Sequence, residues 1–172
     1  MKYHISLKVI HWFTAFMVIG LLACGLIMTE LDAAIYPVKW QVYAWHKDFG
    51  MLVLILTLAR LILRNITAIP PLPSNFPTLI KLGAHIVHYS FYAVLIAMPI
   101  AGYLMGAYAG RQMHFFGVDL PKFLPENKEL SSFFRDTHEI FAWLLVAMVI
   151  AHILFALKHR YIDKQDIIYR MM

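Results

Sequence analysis

The stretch HEIFAWLLVAMVIAH, residues 138–152, decides how this chain folds. Residues 140–157 carry no charge, and at about 1.5 Å per helical residue such a run approaches the roughly 30 Å of a bilayer's hydrocarbon core. Helical periodicity puts His138 and His152, 14 residues apart, about 21 Å from each other along the axis and about 40° apart around it. Two ionisable side chains therefore share one face of an apolar helix, one near each membrane boundary.

Two further charge-free runs, residues 9–29 and 82–110, have the same composition of Leu, Ile, Val, Phe, Ala and Met. A weaker one, 49–59, lies within a stretch that reads as helix from Trp40 to Arg64. It spans if Lys47 and Asp48 lie at one boundary and Arg60 and Arg64 snorkel at the other. The sequence thus predicts an all-α fold, a four-helix transmembrane bundle forming one domain over 1–172, with spans at about 7–29, 40–64, 79–109 and 134–158. Pro70, Pro71, Pro73 and Pro77 make 65–78 a connection. The first helix reads as retained, because its apolar run is too long for a cleaved signal peptide and no small-residue cleavage site follows it.

Composition agrees. At 61% hydrophobic and 15% charged, with mean hydropathy +0.66, the chain is far more apolar than a soluble domain, for which about 45–50% and 25% are usual. Its basic residues stand singly among apolar spans, which argues against nucleic acid as a partner and for membrane lipid. Lys2, Lys8, Arg60, Arg64, Lys81, Lys158, Arg160, Lys164 and Arg170 fall on the side of the termini with Asp163 and Asp166, a balance of +7. The opposite side has six bases and eight acids, a balance of −2. The positive-inside rule then places both termini in the cytoplasm of a bacterial inner membrane, with the connections near 30–39 and 111–134 outside.

Cys24 is the only cysteine, so neither a disulfide within the chain nor covalent C-x-x-C-H haem attachment is available. Nine histidines remain. His46 begins the second helix at the depth of His138, and His11 begins the first at roughly the depth of His152. Neutral imidazoles from facing helices are the axial ligands of six-coordinate b-type haem, so the pattern offers two stacked haems. At the inner depth His85 and His88 share a face of the third helix, and spacing alone leaves His11, His85 and His88 open as partners of His152. His114 falls in a loop, while His4 and His159 lie at an interface where a solvated histidine is ordinary. Gly102, Gly106 and Gly110 read as a helix-packing device. Gly20, Gly25, Gly50 and Gly83 suit either a porphyrin or a close helix crossing. The four tryptophans suit interfacial belts, and acids within the spans are too few for metal transport.

The ordered set of His11-Trp12, His46, Leu58-Ala59-Arg60-Leu61-Ile62-Leu63-Arg64 with its proline-rich sequel, Gly83-Ala84-His85-x-x-His88, His138-Glu139, His152, His159-x-Tyr161 and the closing Tyr169-Arg170-Met171-Met172 resembles the bacterial cytochrome b561 family. It is also similar to the cytochrome b subunits of membrane hydrogenases and formate dehydrogenases. The resemblance implies two haem b groups, the outer held by His46 and His138 and the inner by His11 and His152. His85 and His88 are then left for haem-propionate or quinone contacts. It further implies an oxidoreductase passing electrons to ubiquinone, with superoxide as the donor. Lys81, His85, His88 and His159 are candidate proton-exchanging groups for the quinone. The outer balance of −2 sits poorly with an anionic substrate unless Lys39, Lys47, Arg111, Lys122 and Arg135 cluster at the outer haem. Two other readings are a subunit that docks a redox partner protein and a nonredox histidine-lined ion pathway.

Overall fold

A computed structural model of the chain describes residues 2–32, 37–71, 76–165 and 167–172; Pro73, Asp166 and the middle of the 30–39 connection lie outside them. Four helices form the bundle: α1 (Ile5–Glu30), α2 (Lys39–Ile66), α3 (Thr78–Tyr108) and α4 (Lys128–Tyr161). All four are long and apolar enough to cross a membrane. Large side chains such as Phe16, Ile62 and Phe155 are more than 60% exposed, as expected where lipid covers the outer surface.

The expected spans are all present, but α4 begins six residues before 134. Asn127 caps it, its side chain accepting from the Leu130 N–H at 3.0 Å, and Glu129 in the first turn complements the helix dipole. The 111–134 connection shortens accordingly. It holds a hairpin of β1 (His114–Phe115) and β2 (Val118–Asp119), with His114 opposite Asp119. Its two-residue turn has positive φ at both Phe116 and Gly117, the primed turn that matches strand twist. Phe116 bears this strain because its N–H donates to Asp48 Oδ1 at 3.0 Å and its ring packs edge-on against Phe49. Asp48 at the boundary of α2 thus has a structural task.

Packing is uneven. α1 lies along α2, α3 along α4, and α2 against α3, whereas the backbone of α4 approaches α1 and α2 at isolated points at most. Pro99 lies inside α3, where it removes one helix hydrogen bond. At the end carrying the termini the chain closes on itself. Trp12 Nε1 donates to the Met171 carbonyl at 2.8 Å, Tyr3 N to the Arg170 carbonyl at 3.1 Å, and Arg170 to the carbonyls of Pro70 and Pro71. The closing segment, which turns once as a 3₁₀ helix (Ile168–Met171), therefore ties α1 to the α2–α3 link.

Candidate functional site

The helices present their chemistry in layers separated by two heptads. Towards the hairpin end lie Gly25, His46, Gly102 and His138; towards the terminal end, each 14 residues away on its own helix, lie His11, Arg60, His88 and His152. Midway between them sits the buried apolar cluster of Val18, Val53, Val94 and Leu145. On α1, α2 and α4 the middle residue stands seven residues from each layer, close to two turns, so these helices turn the same face inward at all three levels; on α3 Val94 is six residues from His88 and eight from Gly102.

At the hairpin end the His46 and His138 rings face each other with centres 6.3 Å apart at 76°. His138 Nδ1 lies 2.9 Å from the Met98 carbonyl; since a carbonyl only accepts, Nδ1 carries the proton and Nε2 keeps its lone pair. A Cβ at Gly102, one turn after Met98, would come within 3.0 Å of the His138 ring, and one at Gly25 within 3.4 Å of His46. α3 thus seats His138 with a carbonyl and a missing side chain at i and i+4. The packing expectation for the glycine series changes accordingly. Gly102 makes room for an imidazole, Gly106 faces the Met113 sulfur, and Gly110 ends α3 at φ +74°.

At the terminal end the His88 and His152 rings are 6.4 Å apart at 70°, with Phe91 edge-on to His152 at 5.3 Å. Arg60 stands at the same level on α2, two heptads after His46. Its guanidinium lies over the Tyr92 ring at 5.9 Å. His85, although on the same helix, is exposed. His159 is not the solvated interfacial group expected: its side chain is 13% exposed, its ring meets Phe76 at 5.5 Å, and Nδ1 lies 2.6 Å from Asp163 Oδ2. α4 runs on to Tyr161, which brings Asp163 back onto its last turn. Hydrogen bonds from Lys158 and then His159 hold the Asp163 carboxyl below the usual carboxylate range. Lys81 lies at the first turn of α3, half-buried.

The donor set fits haem b. A metal–imidazole bond is about 2 Å, which sets two axial rings about 6 Å apart, centre to centre. The His46–His138 separation matches that, and His46 Nδ1 is buried without a protein partner, as a nitrogen awaiting a group from outside the chain would be. Nothing in the sequence pointed to the Met98 carbonyl or to Arg60 in a histidine layer, whereas Gly25, which suited either a porphyrin or a close helix crossing, stands beside the His46 ring. The 14-residue interval, noted for α4 alone, was the signal present in all four helices.

The fold and site define a multi-pass membrane protein of the b-type cytochrome class. The model of the prokaryotic cytochrome b561 family matches residues 2–172, and the chain belongs to that family, whose members are electron-transfer cytochromes; the family implies haem b. It is 34% identical to cytochrome b561 homolog 2 of Escherichia coli (strain K12), over 99% of this chain and 91% of that protein. It is 29% identical to cytochrome b561 homolog 1 of the same organism, over 74% and 72%, and 29% identical to the probable superoxide oxidase CybB of Yersinia pestis, over 74% and 72%.

The glycine seat is testable. In Gly102→Val a branched side chain starts where His138 stands, and the ring must leave the Met98 carbonyl. A fall in haem content per chain is expected in a pyridine haemochrome assay, with the helical content by circular dichroism unchanged. Full haem content would show that the seat does not position the ligand.

Proposed function

We propose that this protein is a di-haem superoxide:ubiquinone oxidoreductase of the bacterial inner membrane, with both termini cytoplasmic and the hairpin outside. The observation that carries the reading is the His46–His138 pair, two imidazoles brought within 6.3 Å of each other, edge to face, by helices that do not pack together. By this reading His46 and His138 hold the outer haem, and His11 and His152 the inner one. Bis-histidine haem b supplies one-electron chemistry with no open coordination position.

The inner pairing follows from packing as well as from the family resemblance. Helices in direct contact have axes about 8–10 Å apart, too close for two imidazoles and a metal in line between them. α3 and α4 are such a pair, so His88 stands beside His152 on its neighbour, whereas His11 comes from α1, which α4 leaves room for.

Two superoxide anions give up one electron each and become two dioxygen molecules; one quinone takes both electrons and two protons and becomes the quinol. The protons need exchanging groups at the inner end. His159, held by Asp163 beside Phe76, is the best placed, with Lys81, His85 and His88 as further candidates. The apolar Val18, Val53, Val94 and Leu145 layer keeps water and protons from following the electrons between levels.

Three of the outer cations have partners of their own, while Arg111 and Lys122 line one shallow pocket beside Tyr103 and Met113. Lys122 bonds the Gly110 carbonyl and lies 3.7 Å from Glu126, Arg135 pairs with Asp136 and Ser132, and Lys39 bonds the Leu31 carbonyl. Lys47, half-buried directly after His46 in α2, is the cation best placed to meet an anion. The printed name of the Yersinia pestis relative favours the superoxide reading. The test is rapid mixing of purified protein with superoxide and a ubiquinone analogue. Haem reduction followed by quinol formation is expected, slowing as salt rises. Absence of reduction by superoxide, with reduction by quinol retained, would favour a subunit that serves a docked dehydrogenase or hydrogenase. Absence of reducible Soret and alpha bands would sink both.

A further inference from the structure

Arg60 carries a charge that the described residues leave unbalanced. It sits six residues inside the end of α2, about 9 Å from it, at the level of His11, His88 and His152. A guanidinium stays protonated in any protein environment. The nearest charge on its own helix is Arg64, of the same sign and one turn on. Each lies against an aromatic ring of α3, Arg60 over Tyr92 at 5.9 Å and Arg64 over Tyr89 at 6.0 Å. Among the described residues neither makes an ion pair, and Asp163, the described acid at this end, is held by Lys158 and His159. Two like charges one turn apart, inside a membrane span, call for an anion.

The face on which they stand identifies that anion. Arg60 and Arg64 follow His46 by 14 and 18 residues, within about 40° of its direction around α2, so both belong to the inward face. A contact with a tyrosine ring satisfies none of the guanidinium N–H groups, which stay available for a carboxylate fork. That face, which carries His46 and the buried Val53, is turned into the bundle and away from the lipid surface where snorkelling would take the side chains. We propose that Arg60 and Arg64 bind the two propionate carboxylates of the inner haem, orienting its propionate edge towards the terminal end. The inference rests on the haem reading above. It adds that the two cations raise the reduction potential of this haem relative to the same site without them, so that electrons collect beside the quinone end.

The test uses the full-length chain stripped of haem and reloaded with haem b or with haem b dimethyl ester, which keeps iron and porphyrin but has no carboxylate. In the His138→Ala background only the inner site remains. There the parent arginines are expected to favour haem b by at least roughly tenfold, and Arg60→Gln combined with Arg64→Gln to abolish most of that preference. In the otherwise native protein Arg60→Gln is expected to lower the inner midpoint potential, with Arg60→Lys restoring part of it and the outer potential unmoved. Equal binding of the ester and haem b with both arginines present overturns the proposal, even if the Gln variants fail to fold. So does an unchanged inner potential in Arg60→Gln, which would leave the arginines to lipid phosphate. A parent chain that binds no haem at all overturns the functional reading instead.

Discussion

Replacement of His138 by alanine is expected, on the di-haem reading proposed above, to leave one haem of two and to abolish reduction of the protein by superoxide while reduction from the quinone side persists. The residue enters three contacts at once: the His46 ring across the gap, the Met98 carbonyl behind it and the space over Gly102. Alanine removes the ligand, and nothing else at this level of the bundle can replace it, because the facing positions on α1 and α3 are glycines. His46→Ala is expected to behave alike, and the double variant to be no worse than either single one, since the two residues act as a unit. Haem content per chain with and without each substitution is the measurement. Two haems retained in His138→Ala would refute the pairing. Stability is a lesser consequence: the bundle's apolar layer at Val18, Val53, Val94 and Leu145 lies two turns away, and the helical content should survive.

The inner level separates two histidines that proximity alone does not. His11→Ala is expected to lose the inner haem and, with it, quinone reduction by at least a hundredfold, whereas His88→Ala is expected to keep both haems and lose a smaller part of the rate. The ring contact in the structure is His88 with His152 at 6.4 Å, which taken by itself would favour His88. Helix packing reverses that choice. α3 lies directly on α4, and α1 does not, so at this level the α1–α4 pair leaves more room between its axes for a group held by two imidazoles than the α3–α4 pair does. A His88→Ala protein with one haem, beside a His11→Ala protein with two, would overturn this assignment and make α3 the source of the inner ligand. An inner haem with altered potential but normal content in His88→Ala would accord with a group standing beside the site.

Much of this was legible in the chain. Charge-free runs placed the helices, because a hydrocarbon core sets a length that apolar sequence must fill, and even the weakest, around 49–59, became a 28-residue helix. His138 and His152 could be put on one face from their spacing. The early start of α4 was readable too, in Asn127 and Glu129, whereas the hairpin was not: two strands of two residues have no periodicity to detect, and Phe116 holds its positive φ only because Asp48, 68 residues earlier, receives its N–H. His159 misled for a related reason. Its neighbours Phe76 and Asp163 lie on a loop and past a helix end, where sequence distance says little about contact.

The sequence by itself determined that this protein is a four-helix membrane bundle whose histidines stand at two depths, since rise per residue and turn angle convert spacing into position along and around each helix. Which helices touch and which stand apart was decided only by the tertiary structure. That difference brings His46 to His138 across helices that do not pack together, brings His88 to His152 on helices that do, sets Arg60 over Tyr92 and gives Gly102 a ring to accommodate. Periodicity describes one helix about its own axis, and it carries no information about the distance to the next.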